Sequence, residues 1–224
     1  MTTAPNRRRP RSPRLRWAPV ALAPLAALNG CETTSPPPGP RAGELPPSLA
    51  VPEPIRMQRA QRHALDAFRS DRPDRAIRDY ERSIDEFAGL PAPHNNLGVI
   101  FLEEGRPLEA AERFVTAAQL APDDPRPVYN HALLWDQRHY YADALDLYLE
   151  ALDRDANYLP ALRGAVRAES FLNVESEETL ARIRRALMLE TDPDWARYFE
   201  LRRLQVHGLL RERAEPGSET INSD

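Results

Sequence analysis

The chain has 224 residues, 29% of them charged, with a formal net charge of −4; this allows one globular domain with tails or two small ones and is too charged for an integral membrane protein. All thirty cations are arginines, and six of them, Arg7, Arg8, Arg9, Arg11, Arg14 and Arg16, fall in the first 31 residues, where no acid occurs. The rest carries 24 arginines against 34 acids, a balance of −10, which weighs against nucleic acid as a partner because its binders present basic patches to phosphate.

The N-terminal segment has the three parts of an export signal: the basic "RRRPRSPRLR", the apolar "WAPVALAPLAAL" and the small Gly30 just before Cys31. A dozen apolar residues cannot cross a bilayer, which takes about 20. Cys31 is the sole cysteine, so it has no partner for an internal disulfide or a metal pair. "LNGC", Leu28 to Cys31, resembles the lipobox of bacterial lipoproteins, although Asn29 is an unusual neighbour and Pro19 and Pro24 interrupt the apolar run. The resemblance implies that residues 1–30 are a signal peptide and that Cys31 receives the lipid, palmitate included, that anchors the chain to a membrane. The alternatives are an ordinary cleaved signal, giving a secreted protein without lipid, and a basic tail with a chance cysteine.

Residues 31–55 form the next segment. Eight prolines between Glu32 and Ile55 fix φ and remove donors, so an extended tether is expected, with a reach of about 70 Å at ~3.1 Å per residue. Glu32 after the cysteine favours the outer over the inner membrane under the sorting rule of enteric bacteria, with the folded part facing the periplasm.

From Met57 the sequence repeats itself at a step of 34. Ala76, Ala110 and Ala144 keep that step, as do Tyr80, Phe114 and Tyr148; Ala64, Gly98 and Ala132; and Ser83, Ala117 and Ala151. Small residues at two places let the helices of a hairpin approach, and the aromatic fills the space beneath them. "EEGRP", Glu103 to Pro107, breaks the hairpin with a glycine at one helix end and a proline at the next start, and "APDDP" closes the unit. The unit Pro91 to Asp124 resembles the tetratricopeptide repeat (TPR) at Leu97, Gly98, Phe101, Ala110, Phe114, Ala117 and Pro122, with flanking units from Met57 to Leu90 and from Pro125 to Tyr158. A fourth, roughly Leu159 to Asp192, slips by about one residue near "NVESEE". The implied fold is all-α, a right-handed superhelix of stacked antiparallel hairpins over about four units in residues 56–192. "DWARYFELRRLQVHGLL", within residues 193–213, reads as an amphipathic helix that caps the open end, with Asp192 or Asp194 as N-cap; residues 214–224 are polar and expected to be disordered.

No constellation for catalysis stands out: there is no HExxH, phosphate loop or serine elbow, and the five histidines are dispersed. His131, Asp136 and His139 could be drawn as a metal site, but the repeat already accounts for His131 and zinc wants three or four convergent ligands. No enzyme activity, cofactor or metal is therefore expected. A partner surface is better supported. At 100° per residue, places 2, 5, 9 and 12 of each first helix share a face that should line the concave side. These are Gln58, Gln61, Leu65 and Phe68, then Ala92, Asn95, Val99 and Leu102, then Arg126, Tyr129, Leu133 and Asp136. The six large apolar members, Leu65, Phe68, Val99, Leu102, Tyr129 and Leu133, would face water and suit an extended peptide or an amphipathic helix; the alternative is tight coiling, in which they touch neighbouring units or a twin subunit. Some TPR proteins hold a C-terminal carboxylate through Lys and Asn at set groove places, but Gln61 and Leu65 stand there instead. The resemblance implies a lipid-anchored scaffold at the bacterial cell envelope that binds a protein or peptide, as in pilus or secretin assembly factors and adaptors of cell-wall enzymes; the alternative is a self-associating structural protein, a homodimer through the concave face or the cap.

Overall fold

A computed structural model describes residues 51–215, which form nine α-helices and no strand. They are α1 (Glu53–Phe68), α2 (Pro73–Glu86), α3 (Pro91–Glu103), α4 (Pro107–Leu120), α5 (Pro125–Asp136), α6 (Tyr141–Arg154), α7 (Leu159–Leu172), α8 (Glu177–Leu189) and α9 (Pro193–Ala214). Cys31, the leader, most of the tether and residues 216–224 lie outside the described residues. Among those described, no helix is long and apolar enough to cross a membrane.

Proline writes most of the helix starts. Pro73, Pro91, Pro107, Pro125 and Pro193 each occupy a first helical position, where the missing N–H has no intrahelical acceptor and the fixed φ already suits the helix. The same rule corrects the tether boundary. Glu53, Pro54 and Ile55 belong to α1, because Pro54 sits in its first turn and Pro52 outside it, so the segment without helix stops short of residue 55. Side-chain caps reinforce three starts: Asp124 accepts from the Arg126 N–H, Ser176 from that of Thr179, and Asp192 from those of Asp194 and Trp195. Gly105 ends the α3 segment at φ 76°, a left-handed conformation that a side chain would resist.

Consecutive helices pair as α1–α2, α3–α4, α5–α6 and α7–α8, and the pairs stack in chain order with α9 closing on α8. Each pair meets over small residues. A Cβ at Gly98 would lie 2.7 Å from the Phe114 ring, so only glycine lets α3 approach that ring so closely. Gly164 of α7 plays the same part against Tyr148 of the preceding pair, where a Cβ would lie at 2.4 Å. Ser83 crosses from α2 to α1 by donating to the Ala60 carbonyl at 2.8 Å. Three continuous clusters result: one around Tyr80, Leu97, Phe101 and Phe114; one around Tyr129, Leu133 and Tyr148 over the alanines of α7; and one joining Leu162, Leu180 and Ile183 to Phe199 and Val206 of α9.

The helices α3, α5, α7 and α9 begin at residues 91, 125, 159 and 193, so the 34-residue step runs through to the last helix. Second helices begin at 73, 107 and 141, but α8 begins at 177. The slip near "NVESEE" is thus two residues: α7 runs to Leu172 and ends on Asn173 in the left-handed region, at φ 52°, before the chain turns into α8.

Candidate partner-binding surface

The face proposed from helical spacing divides in two. Gln58 and Phe68 of α1 are exposed, with Phe68 retaining 52% of its surface, and Gln61, Leu65, Val99 and Arg126 are half-buried. Ala92, Asn95, Leu102, Tyr129, Leu133 and Asp136 are buried, which corrects the expectation that Leu102, Tyr129 and Leu133 face water. The cause is the next helix pair. Leu133, 2% exposed, packs in one cluster with Ala161, Ala165 and Ala168 of α7, whose short side chains let that helix close over α5. Tyr129 meets Tyr148 at 6.0 Å and Tyr158 edge-on at 5.4 Å between ring centroids.

The polar members of the face are structural as well. Asn130 of α5 donates to Asn95 at 2.9 Å, Asn95 donates to Asn96 at 3.1 Å, and Asn96 donates to the Tyr80 hydroxyl of α2 at 3.1 Å. This buried amide ladder ties three helices across two repeat boundaries, and buried polar networks of this kind favour one arrangement of a core. Asp136 accepts from the Tyr148 hydroxyl at 2.6 Å and also pairs with Arg167 of α7. Burial first, and then the Asp136 carboxylate, push the Tyr148 phenol far above its usual range. Burial likewise pushes Tyr129 up to about 12, with Asp136 adding to the shift and the cations Arg167 and Arg163 opposing it. Burial works against the Arg167 charge, yet Asp136 outweighs it and leaves that guanidinium more firmly protonated than usual.

Helical spacing in the first three units does not single out two further residues of this surface, Arg163 and Arg167, at the fifth and ninth places of α7. The slip of the fourth unit falls after α7, so counting 34 onward from Tyr129 and Leu133 in α5 reaches both. Arg163 donates through Nε and Nη2 to both oxygens of Glu190, at 2.7 and 2.5 Å, and lies 5.1 Å from the Trp195 ring. Arg126 is similarly held by Asp124, with contacts of 2.8 to 3.1 Å. Arg126, Arg163 and Arg167 therefore each already have a carboxylate, so this stretch offers a patterned polar wall and not a free positive patch. Beside it, Tyr141 and Phe171 stack at 4.3 Å and 9°, next to the exposed Tyr140.

Among the described residues no group of three or more His, Cys, Asp or Glu converges on a metal centre. His131 accepts from the Trp135 indole at 3.2 Å, the His139 ring faces the Tyr141 hydroxyl at 2.8 Å, and Asp136 is engaged by Tyr148 and Arg167, so the three drawn together from sequence are each committed elsewhere.

Solved structures share this architecture. Pseudomonas aeruginosa PilF aligns with a TM-score of 0.54 at 21% identity over 71% of this chain and 78% of its own. A MamA double mutant aligns at 0.52 and 13% identity over 69% and 96%, and an O-GlcNAc transferase of Thermobaculum terrenum at 0.51 and 21% identity over 67% of this chain and 27% of its own. No protein-family model matches the sequence, and no curated protein does. The helix hairpins stacked at a 34-residue step, together with these likenesses, define the fold: the described residues are a tetratricopeptide-repeat solenoid.

Proposed function

We propose that this chain is a non-catalytic scaffold, held at the bacterial cell envelope by a lipid on Cys31, whose repeat stack recruits a protein or peptide partner. The observation that carries the binding part is the open end of the inner face at α1. There Phe68 stands exposed beside the half-buried Leu65 and Gln61, whereas Leu102 and Asp136, at the place of Phe68 in the next two units, are buried. An apolar side chain held open by a rigid helix, with polar neighbours, is the arrangement that anchors an extended peptide or a helix. The location is supported by "LNGC" after a basic and apolar leader, and by the proline-rich stretch that separates Cys31 from α1. The adaptor would then work within the reach of its tether, as in pilus or secretin assembly or in the positioning of a cell-wall enzyme.

Two measurements test the two parts. Growth with labelled palmitate should label the native chain and leave Cys31→Ala unlabelled; an unlabelled native chain removes the lipid anchor. Partners recovered from envelope extract with the native chain should be lost with Phe68→Glu plus Leu65→Gln while the circular dichroism stays unchanged. Equal recovery by both forms removes this surface from the function.

A further inference from the structure

The strongest unexplained feature lies at the other end of the stack. Helix α9 has 22 residues, against 12 to 16 in every other helix of the described residues. It starts at Pro193, one 34-residue step after α7, so it is the first helix of a fifth unit that has no second helix among the described residues. Phe199, Arg202 and Val206 turn inward. Opposite them, at spacings of 4, 3 and 4, stand Arg197, Leu201, Leu204 and Gly208. Leu201 is 63% and Leu204 65% exposed, and a Cβ built on Gly208 would meet nothing within 4 Å. Leu201 and Leu204 hold the ninth and twelfth places of their unit. In α5 those places are Leu133 and Asp136, both buried under the following helix. In α9 the same places are apolar and no helix follows among the described residues, so the surface has the side chains of an inner contact without its cover.

We propose that a second copy of this chain covers it, with the two α9 helices antiparallel about a two-fold axis between Leu204 and Gln205. This inference is independent of the adaptor reading, since it needs neither a lipid nor a recruited partner. Charge favours the symmetric pairing. With the axis there, Arg197 faces Glu212 of the second copy, twice per dimer; both side chains are exposed, and neither has an ion pair among the described residues. Leu201 falls opposite Gly208 of the second copy, where the missing side chain admits the leucine, and the two Leu204 side chains meet near the axis. A head-to-tail stack of copies is disfavoured by its other surface. The outer face of α1 carries the exposed Arg59, Arg62, Asp66 and Arg69, which would set cations against Leu201 and Leu204. The last two turns of α9, where Arg213 reaches back to Glu175 just before α8, carry the Glu212 that faces the second copy's Arg197.

Sedimentation equilibrium of the full-length chain in density-matched detergent tests this. The expected result is a monomer–dimer equilibrium that stops at two. Leu201→Glu plus Leu204→Glu should abolish it with native circular dichroism. Arg197→Glu should weaken association by at least about tenfold, and Arg197→Glu with Glu212→Arg should restore it, a rescue that does not depend on how the leucine variants fold. A monomer at every concentration, a dimer indifferent to these changes, open-ended polymers, or failure of the charge swap to rescue would each overturn the proposal.

Discussion

Place twelve of the first helix is an exposed phenylalanine in α1 and a buried aspartate in α5, and the difference shows what sets burial in a repeat stack. Both sit on the same face by helical spacing. In α5 the following pair begins with α7, whose Ala161, Gly164, Ala165 and Ala168 allow an approach close enough to cover Leu133 and to bring Arg167 onto Asp136. Over α1 the following helix is α3, which leaves Phe68 uncovered. A residue's exposure here is thus a property of its neighbour's side-chain size as much as of its own place.

That contrast can be broken by substitution, and the expected effects fall in order. Phe114→Ala empties a fully buried site against Gly98 and should cost about 3 to 5 kcal/mol in urea unfolding. Tyr129→Ala should cost about 3 kcal/mol, since its ring is enclosed by Tyr148 and Tyr158; unchanged stability would return it to the partner surface. Asp136→Asn removes the ion pair with Arg167 and should cost about 2 kcal/mol, less than a fully enclosed pair because Arg167 reaches solvent. His94 and His131 supply a smaller, pH-dependent effect. Burial, the leading cause for both, holds their protonation below the ordinary histidine range. The unfolded chain therefore takes up protons first, so their contribution is complete above about pH 6.5 and is lost as pH falls through the folded values. Replacing His94 by Gln should flatten the stability profile on that acidic side. Phe68→Ala should change stability by no more than about 0.5 kcal/mol while weakening partner capture.

The repeat is legible in the sequence because its determinants are local: a small residue where helices cross, an aromatic below, and prolines at the starts. Gly98 with Phe114 is such a pair, and the structure places them in contact. The covered face is not legible from α5 alone, because nothing in "PRPVYNHALLWD" reports that α7 is built of alanines. "ALRGAVRA" carries that signal. The two-residue slip before α8 is partly visible, but its size depends on Asn173 adopting a left-handed end, which no hydrophobic period encodes. The apolar residues of α9 do not tell which side has a neighbour: Leu201 and Leu204 face solvent, whereas Phe199 and Val206 are buried.

The amide ladder from Asn130 to Tyr80 has a mechanical consequence. Sliding α5 along α3 by one helical turn would break the Asn130–Asn95 bond, and sliding α3 along α2 would break the Asn96–Tyr80 bond, each parting enclosed polar groups at about 1 to 3 kcal/mol apiece, so the first three hairpins behave as a stiff spring of fixed pitch.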